Sequence, residues 1–169
     1  ETVSIRHHRY HVRIWGEHAN SRPPLFLLHG WMDVGASFQF LVDAFPTSFL
    51  EGRQLLAPDW RGFGHTRGPA CDHYVFADYL GDLDALLEHY TPTAPADLLG
   101  HSMGGHVAMM YAGVRPQRVQ RLVNMEGFGV PATLASEAPE RYATWLDQLR
   151  ALHRGRSNLR DYPGADAVA

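Results

Sequence analysis

The sequence predicts an α/β fold, a mostly parallel sheet in three layers that begins with an N-terminal hairpin. Two observations carry this. Short, largely apolar runs bounded by Pro or Gly ("PPLFLLHG", "QLLAPD", "ADLLG") recur along the chain, as expected of strands buried on both faces. Between them lie segments with apolar residues at helical spacing. Strands alternating with helices imply parallel pairing through right-handed crossovers.

Taken in order, "TVSIRHHRYHVRIWG" reads as two short strands with a turn near His7–Arg9, since Val12 and Ile14 alternate with Arg13 and Trp15. His7, His8 and His11 lack a carboxylate or Cys partner at ligand spacing, so a solvated hairpin is expected there and no metal. Pro23–Gly30 is the first buried strand, and "SFQFLVDAF" a short helix after it. "RQLLAPDWRGFG" is a second buried strand running into a glycine-rich loop. "YVFADYLGDLDALLEHY" is a long amphipathic helix whose Phe76, Tyr79, Leu80, Leu83, Leu86 and Leu87 share one face. "TPTAP" is a turn, "ADLLG" a third strand, "MGGHVAMMYAGV" a helix and "VQRLVNMEGFG" a further strand. After Pro131 the pattern changes. "TLASEAPERYATWLDQLRALHRG" has helical composition, with Tyr142, Trp145, Leu146 and Leu149 at helical spacing, and the last stretch is polar with Pro and Gly. The expected division is therefore a sheet domain over 1–130 and a helical segment with a polar tail over 131–169. No internal repeat is present.

A chain of 169 residues with 45% hydrophobic and 20% charged residues has the balance of a soluble globular domain. The net charge of -3 and the lack of a basic stretch argue against nucleic acid as a partner. Eleven histidines make the charge sensitive to mild acid. Cys71 is the only cysteine, so no intrachain disulfide forms, which fits a reducing, cytoplasmic compartment. No apolar run approaches the ~18 residues of a membrane span. The chain opens without Met and without a basic-then-apolar leader, as expected of a trimmed chain.

Gly100-His101-Ser102-Met103-Gly104 is a G-x-S-x-G element after an expected strand and before an expected helix. A sharp strand-to-helix turn would force Ser102 into a strained backbone conformation, where side chains at Gly100 and Gly104 would clash with neighbouring backbone. The helix N-terminus then aims free N–H groups at developing negative charge. The alternative is a tight turn with a structural Ser. In "LFLLHGWMD" the backbone turns outward after His29-Gly30. The Trp31 and Met103 N–H groups can pair there as an oxyanion hole; losing one such donor typically costs roughly 3–4 kcal/mol. His29 is expected to brace the loop.

On the stretches "HVRIWG", "LFLLHGWMD", "APDWRGFGHT", "ADYLGDLDALL", "LLGHSMGGHVA" and "RLVNMEGFG", in that order over roughly 3–130, the chain resembles the N-terminal part of an α/β-hydrolase of the esterase, haloalkane-dehalogenase and epoxide-hydrolase kind. The resemblance implies an α/β-hydrolase-type sheet, the start of a helical cap after Pro131, and C-terminal strands missing from this chain. Dehalogenases and epoxide hydrolases of this fold carry Asp at the nucleophile position; Ser102 resembles the esterase and lipase branch. The family's acid commonly follows a later strand, and in some members it follows the strand that here reads "LVNMEG". Glu126 is thus either the triad acid or a structural carboxylate bonded to backbone amides or an Arg. Asp59 in "PDWRG" is expected to anchor its loop.

A serine needs a base. In the family the His comes late, after the last strand, and this chain has none there. His153 lies in what resembles the cap; His101 is expected to be a packing residue, and His106 faces the wrong way. A sheet ending at its sixth strand would expose a flat apolar edge, so the remaining strands and the catalytic His are expected from a second chain or a further segment. The reading is a serine hydrolase acting on a carboxylic ester or similar small acyl substrate, without metal or organic cofactor. The alternatives are a non-catalytic ligand-binding protein on the same fold and an acyltransferase.

Overall fold

The computed structural model describes residues 1–17, 22–71, 73–129 and 131–154. The strands are β1 (Thr2–Ile5), β2 (His8–Trp15), β3 (Leu25–Leu28), β4 (Leu55–Pro58), β5 (Ala96–His101) and β6 (Val119–Met125). The helices are α1 (Gln39–Ala44), α2 (Thr47–Leu50), α3 (Phe76–Tyr90), α4 (Met103–Val114) and α5 (Ala138–His153). All six strands form one sheet in the order β1-β2-β4-β3-β5-β6. β3 pairs in parallel with β4 and β5, and β5 with β6; β1 and β2 form the antiparallel end.

The hairpin turn falls earlier than the sequence suggested. Ile5 pairs with His8, and Arg6 closes the turn at φ 52°. Arg9 is drawn into the ladder opposite Ser4, and its N–H also donates to the Arg67 carbonyl at 2.7 Å. The short helix α2 was not expected from its sequence. The segment before α1 is a 3-10 turn over Gly35–Phe38.

Every residue of β3 and β4 is buried, as continuous apolar runs require. Alternate residues face opposite layers. Phe26, Leu28 and Leu56 pack with Leu83, Leu86 and Leu87 of α3 and Val107 of α4. Leu25, Leu27, Leu55 and Ala57 pack with Phe38 and Val42. Each buried Leu contributes about 1.5–3 kcal/mol of transfer free energy. β6 is different: Leu122, Val123 and Met125 remain exposed, Val123 by 50%.

One polar cluster sits inside the first layer. Asp82 of α3 is fully buried and takes two hydrogen bonds of 2.6 Å from Arg61. It also accepts from the Tyr10 hydroxyl at 2.5 Å and from Arg6 at 3.0 Å. Burial first, then the Asp82 charge, pushes the Tyr10 phenol far up, so it stays a donor. This cluster ties β2, the loop after β4 and α3 together.

The chain divides into two compact units, Glu1–Gly129 and Val130–Ala169. In the second, a 3-10 turn over Ala135–Glu137 leads into α5, and the Leu134 N–H donates to Glu137 Oε2 at 3.2 Å. Tyr142, Trp145, Leu146 and Leu149 line one exposed face of α5. Among the described residues no helix is long and apolar enough to cross a membrane.

Candidate active site

Ser102 joins β5 to α4 at φ 50°, ψ -115°, the strained turn its neighbours suggested. The glycines around it are there because backbone passes too close for a side chain. A Cβ at Gly100 would lie 2.5 Å from the Gly104 carbonyl oxygen and the Gly105 nitrogen. One at Gly104 would run into the Leu28 carbonyl oxygen and lie 2.7 Å from the His29 oxygen. The Ser102 N–H donates to the Met125 carbonyl at 2.8 Å, and the His106 N–H donates to the Ser102 carbonyl at 3.0 Å. That last bond opens the helix, so the N–H groups of Met103, Gly104 and Gly105 precede its hydrogen-bonded ladder.

The loop after β3 passes directly beside the serine. A Cβ at Gly30 would lie 3.2 Å from Ser102 Cβ and 3.1 Å from His101 Nδ1. Trp31 follows, 61% exposed, with its ring edge-on to Phe63 at 5.3 Å. Met32 takes φ 56°. Beneath the loop, His29 is fully buried. Its Nε2 accepts the Trp60 N–H at 2.9 Å, so Nδ1 carries the proton and donates to the Gly30 carbonyl at 2.7 Å. Burial holds this imidazole below its ordinary range, and it is neutral.

Asp59 anchors its own loop, after β4, and the loop after β3. Its Oδ1 accepts the Gly35 N–H at 2.8 Å, and its Oδ2 accepts the His65 N–H at 2.8 Å and meets His11 Nδ1 at 2.9 Å.

Glu126 follows β6 directly, at φ 60°. The register that sets Met125 opposite His101 puts Glu126 level with Ser102. Among the described residues, no hydrogen bond or ion pair to an amide or an Arg engages the Glu126 carboxylate. The turn that carries it is held by Asn124. The Asn124 Oδ1 accepts the Gly127 N–H at 2.8 Å, and Nδ2 donates to the Gly127 carbonyl at 3.0 Å. Trp31, Ser102, Met103 and Glu126 therefore lie on one edge of the sheet, at the C-terminal ends of β3, β5 and β6.

Among the described residues no imidazole hydrogen-bonds the Ser102 hydroxyl. His101 packs on the Gly30 turn. His106 stands edge-on to Phe76 at 4.9 Å and against Gly129. His153 belongs to the second unit. Nor do three His, Cys, Asp or Glu side chains gather as a metal ligand set among the described residues.

Sequence reasoning missed Asn124 and the Tyr10–Arg61–Asp82 cluster. A signal existed for Asp82, a carboxylate in the apolar stripe of its helix between Tyr79 and Leu83. None existed for Asn124, whose partners depend on the turn after β6.

A serine at positive φ between a parallel strand and a helix, with a second loop turning outward beside it, is the arrangement at the centre of this sheet edge. The chain belongs to the alpha/beta hydrolase fold family, whose sequence model matches residues 23–162. It is 34% identical over 138 residues to a 2-hydroxymuconate semialdehyde hydrolase of Pseudomonas sp. (strain CF600), covering 76% of this chain and 46% of that protein. It is 31% identical over 118 residues to a serine hydrolase-like protein of Danio rerio, covering 69% of this chain and 34% of that one. Among solved structures, a thioesterase domain from the curacin biosynthetic pathway superposes with a TM-score of 0.72 at 26% identity, covering 88% of this chain and 50% of that one. The chain thus spans about half or less of the length of these relatives.

Proposed function

We propose that this chain carries the nucleophile, the oxyanion hole and the acid of a serine hydrolase that cleaves a carboxylic ester or similar acyl substrate through an acyl-enzyme. The observation that carries the reading is Ser102 at φ 50°, capping the N-terminus of α4. The Ser102 hydroxyl attacks the substrate carbonyl and gives its proton to a His supplied outside this chain. The Trp31 and Met103 N–H groups hold the negative oxygen of the tetrahedral intermediate. The same His returns the proton to the leaving alcohol, and water then releases the acid by the reverse path. Glu126 orients that His. Its level position beside Ser102 and its uncommitted carboxylate support this role. The chemistry needs no metal or organic cofactor.

Two further features support the reading. Trp31 and Phe128, 61% and 83% exposed, flank the oxyanion loop and the Glu126 turn, and suit an apolar acyl or alcohol group. The exposed apolar residues of β6 suit a further strand paired along that edge, from which the His would come. The names of the relatives, a hydrolase of a semialdehyde, a serine hydrolase-like protein and a thioesterase, are compatible with acyl or carbonyl attack by serine.

The test is fluorophosphonate labelling of the whole protein with intact-mass detection. Stoichiometric label that disappears in Ser102→Ala supports the reading. Absence of label on folded protein overturns it in favour of ligand binding without catalysis.

A further inference from the structure

Asn124 occupies a place that the reaction outlined above does not use. It lies on β6, two residues before Glu126 and on the strand that borders the nucleophile turn. Its side-chain amide pairs with one residue, Gly127, in both directions: Oδ1 accepts the Gly127 N–H and Nδ2 donates to the Gly127 carbonyl. This is the pairing a neighbouring strand would make, supplied instead by a side chain. It closes residues 125–127 into a tight turn in which Glu126 is forced to φ 60°, a conformation a Glu does not adopt unaided.

The same amide also touches the nucleophile side. Nδ2 reaches Met109 Sδ on α4 at 2.9 Å. A Cβ on Gly105 would collide with Asn124 Oδ1, and one on Gly127 would lie 2.5 Å from both Asn124 Oδ1 and the Gly105 carbonyl carbon. Gly105, Asn124 and Gly127 are thus stacked without space between them. The two glycines are the reason the amide can reach both sides at once.

We propose that Asn124 is the positioning residue that locks the Glu126 turn onto the first turn of the nucleophile helix. The proposal rests on the reading of Glu126 as the acid. A carboxylate that orients an imidazole acts only within a few tenths of an ångström, and a displacement near 1 Å costs on the order of 10²-fold in rate. The bond from Ser102 N–H to Met125 fixes where the turn begins. Asn124 fixes where it ends. Without the amide, Glu126 is held from one side only and its left-handed backbone has a relaxed alternative.

The experiment uses the whole protein and compares Glu126→Gln, Asn124→Ala, Asn124→Asp and the double variant Glu126→Gln/Asn124→Ala. Asn124→Asp keeps the volume against Gly105 and Gly127 but sets an oxygen against the Gly127 carbonyl, so it tests the same contact if the alanine variant fails to fold. Both Asn124 variants are expected to lose about 10–100-fold in kcat with KM little changed. The acid limb of the kcat/KM profile should move to lower pH, as in Glu126→Gln, because an imidazole without its carboxylate partner protonates less readily. The double variant should be no slower than Glu126→Gln alone, since both remove one unit. A folded Asn124→Asp with unchanged kcat overturns the proposal. So do losses that multiply in the double variant, or an acid limb that stays in place. If Glu126→Gln itself is fully active, the acid assignment falls and this proposal with it, while Ser102 labelling still reports separately on the nucleophile.

Discussion

The Ser102 N–H donates to the Met125 carbonyl at 2.8 Å, which ties the Ser102 turn to the residue that immediately precedes Glu126. The bond continues the parallel β5–β6 ladder one step past the end of β5. The two turns are therefore built on one piece of sheet. Ser102 and Glu126 each stand one residue beyond that last paired step, on neighbouring strands.

The first prediction concerns that pair. In the whole protein, Ser102→Ala should abolish fluorophosphonate labelling and turnover. Glu126→Gln should leave the fold intact, because the carboxylate is exposed and uncommitted, yet lower kcat by about 10³–10⁴-fold, the scale seen when a triad acid is neutralised. Steady-state kinetics and thermal melts together check both halves.

The second concerns packing at the helix start. In Gly104→Ala the new methyl would meet the Leu28 and His29 carbonyl oxygens, which are backbone and have no room to yield. The helix must shift away from β3. The variant should lose at least about 1–3 kcal/mol and label slowly. Gly113→Ala is the control: nothing lies within 4 Å of a Cβ there, and removing a helical glycine should stabilise by up to about 1 kcal/mol. Urea midpoints separate the two.

Much of this arrangement was legible in the sequence because it is local. The apolar runs of β3, β4 and β5, the stripe of α3 and the glycines around Ser102 each announce themselves within a few residues. The turn at Arg6 was misplaced by the run of histidines, whose pattern hides which residue leaves the ladder. The Asp82 cluster was not legible, since its partners Arg61 and Tyr10 lie 21 and 72 residues away and meet only when the sheet has formed. Asn124 looks like an ordinary polar residue in a strand; only the turn behind it shows what its amide does.

The third prediction is a pH dependence. His29 is neutral in the fold, and burial lowers its proton affinity, whereas an unfolded His titrates near about 6.5. Below that point the unfolded chain takes up a proton that the folded chain refuses. Stability should therefore fall as pH drops through about 6.5 and level off once the folded imidazole also protonates. His8, lowered by burial and by Arg61, adds in the same direction. In His29→Gln, whose amide can both accept from Trp60 and donate to Gly30, the slope of unfolding free energy against pH between about 7.5 and 5 should be smaller.

The fourth compares two carboxylates of one cluster. Asp82→Asn leaves Arg61 buried without its bidentate partner and should cost about 3–5 kcal/mol. Asp78 also pairs with Arg61, at 3.1 Å, but its side chain is 31% exposed, and Asp78→Asn should cost no more than about 1 kcal/mol. Equal effects from the two would show that burial does not govern this cluster.

Four non-glycine residues among those described adopt left-handed backbone, and three of them, Met32, Ser102 and Glu126, stand on the same edge of the sheet. Each such residue is held against a conformational preference of order 1–3 kcal/mol. A laboratory selection for heat resistance would accordingly collect substitutions here first. Met32→Asn or Met32→Gly relaxes the backbone without touching the serine, and should rise early. On the proposed reading, positions 102 and 126 offer the same relief only to variants that have stopped turning over. A library screened on survival alone would drift toward well-behaved, inert proteins, and one screened on both traits would stall at position 32.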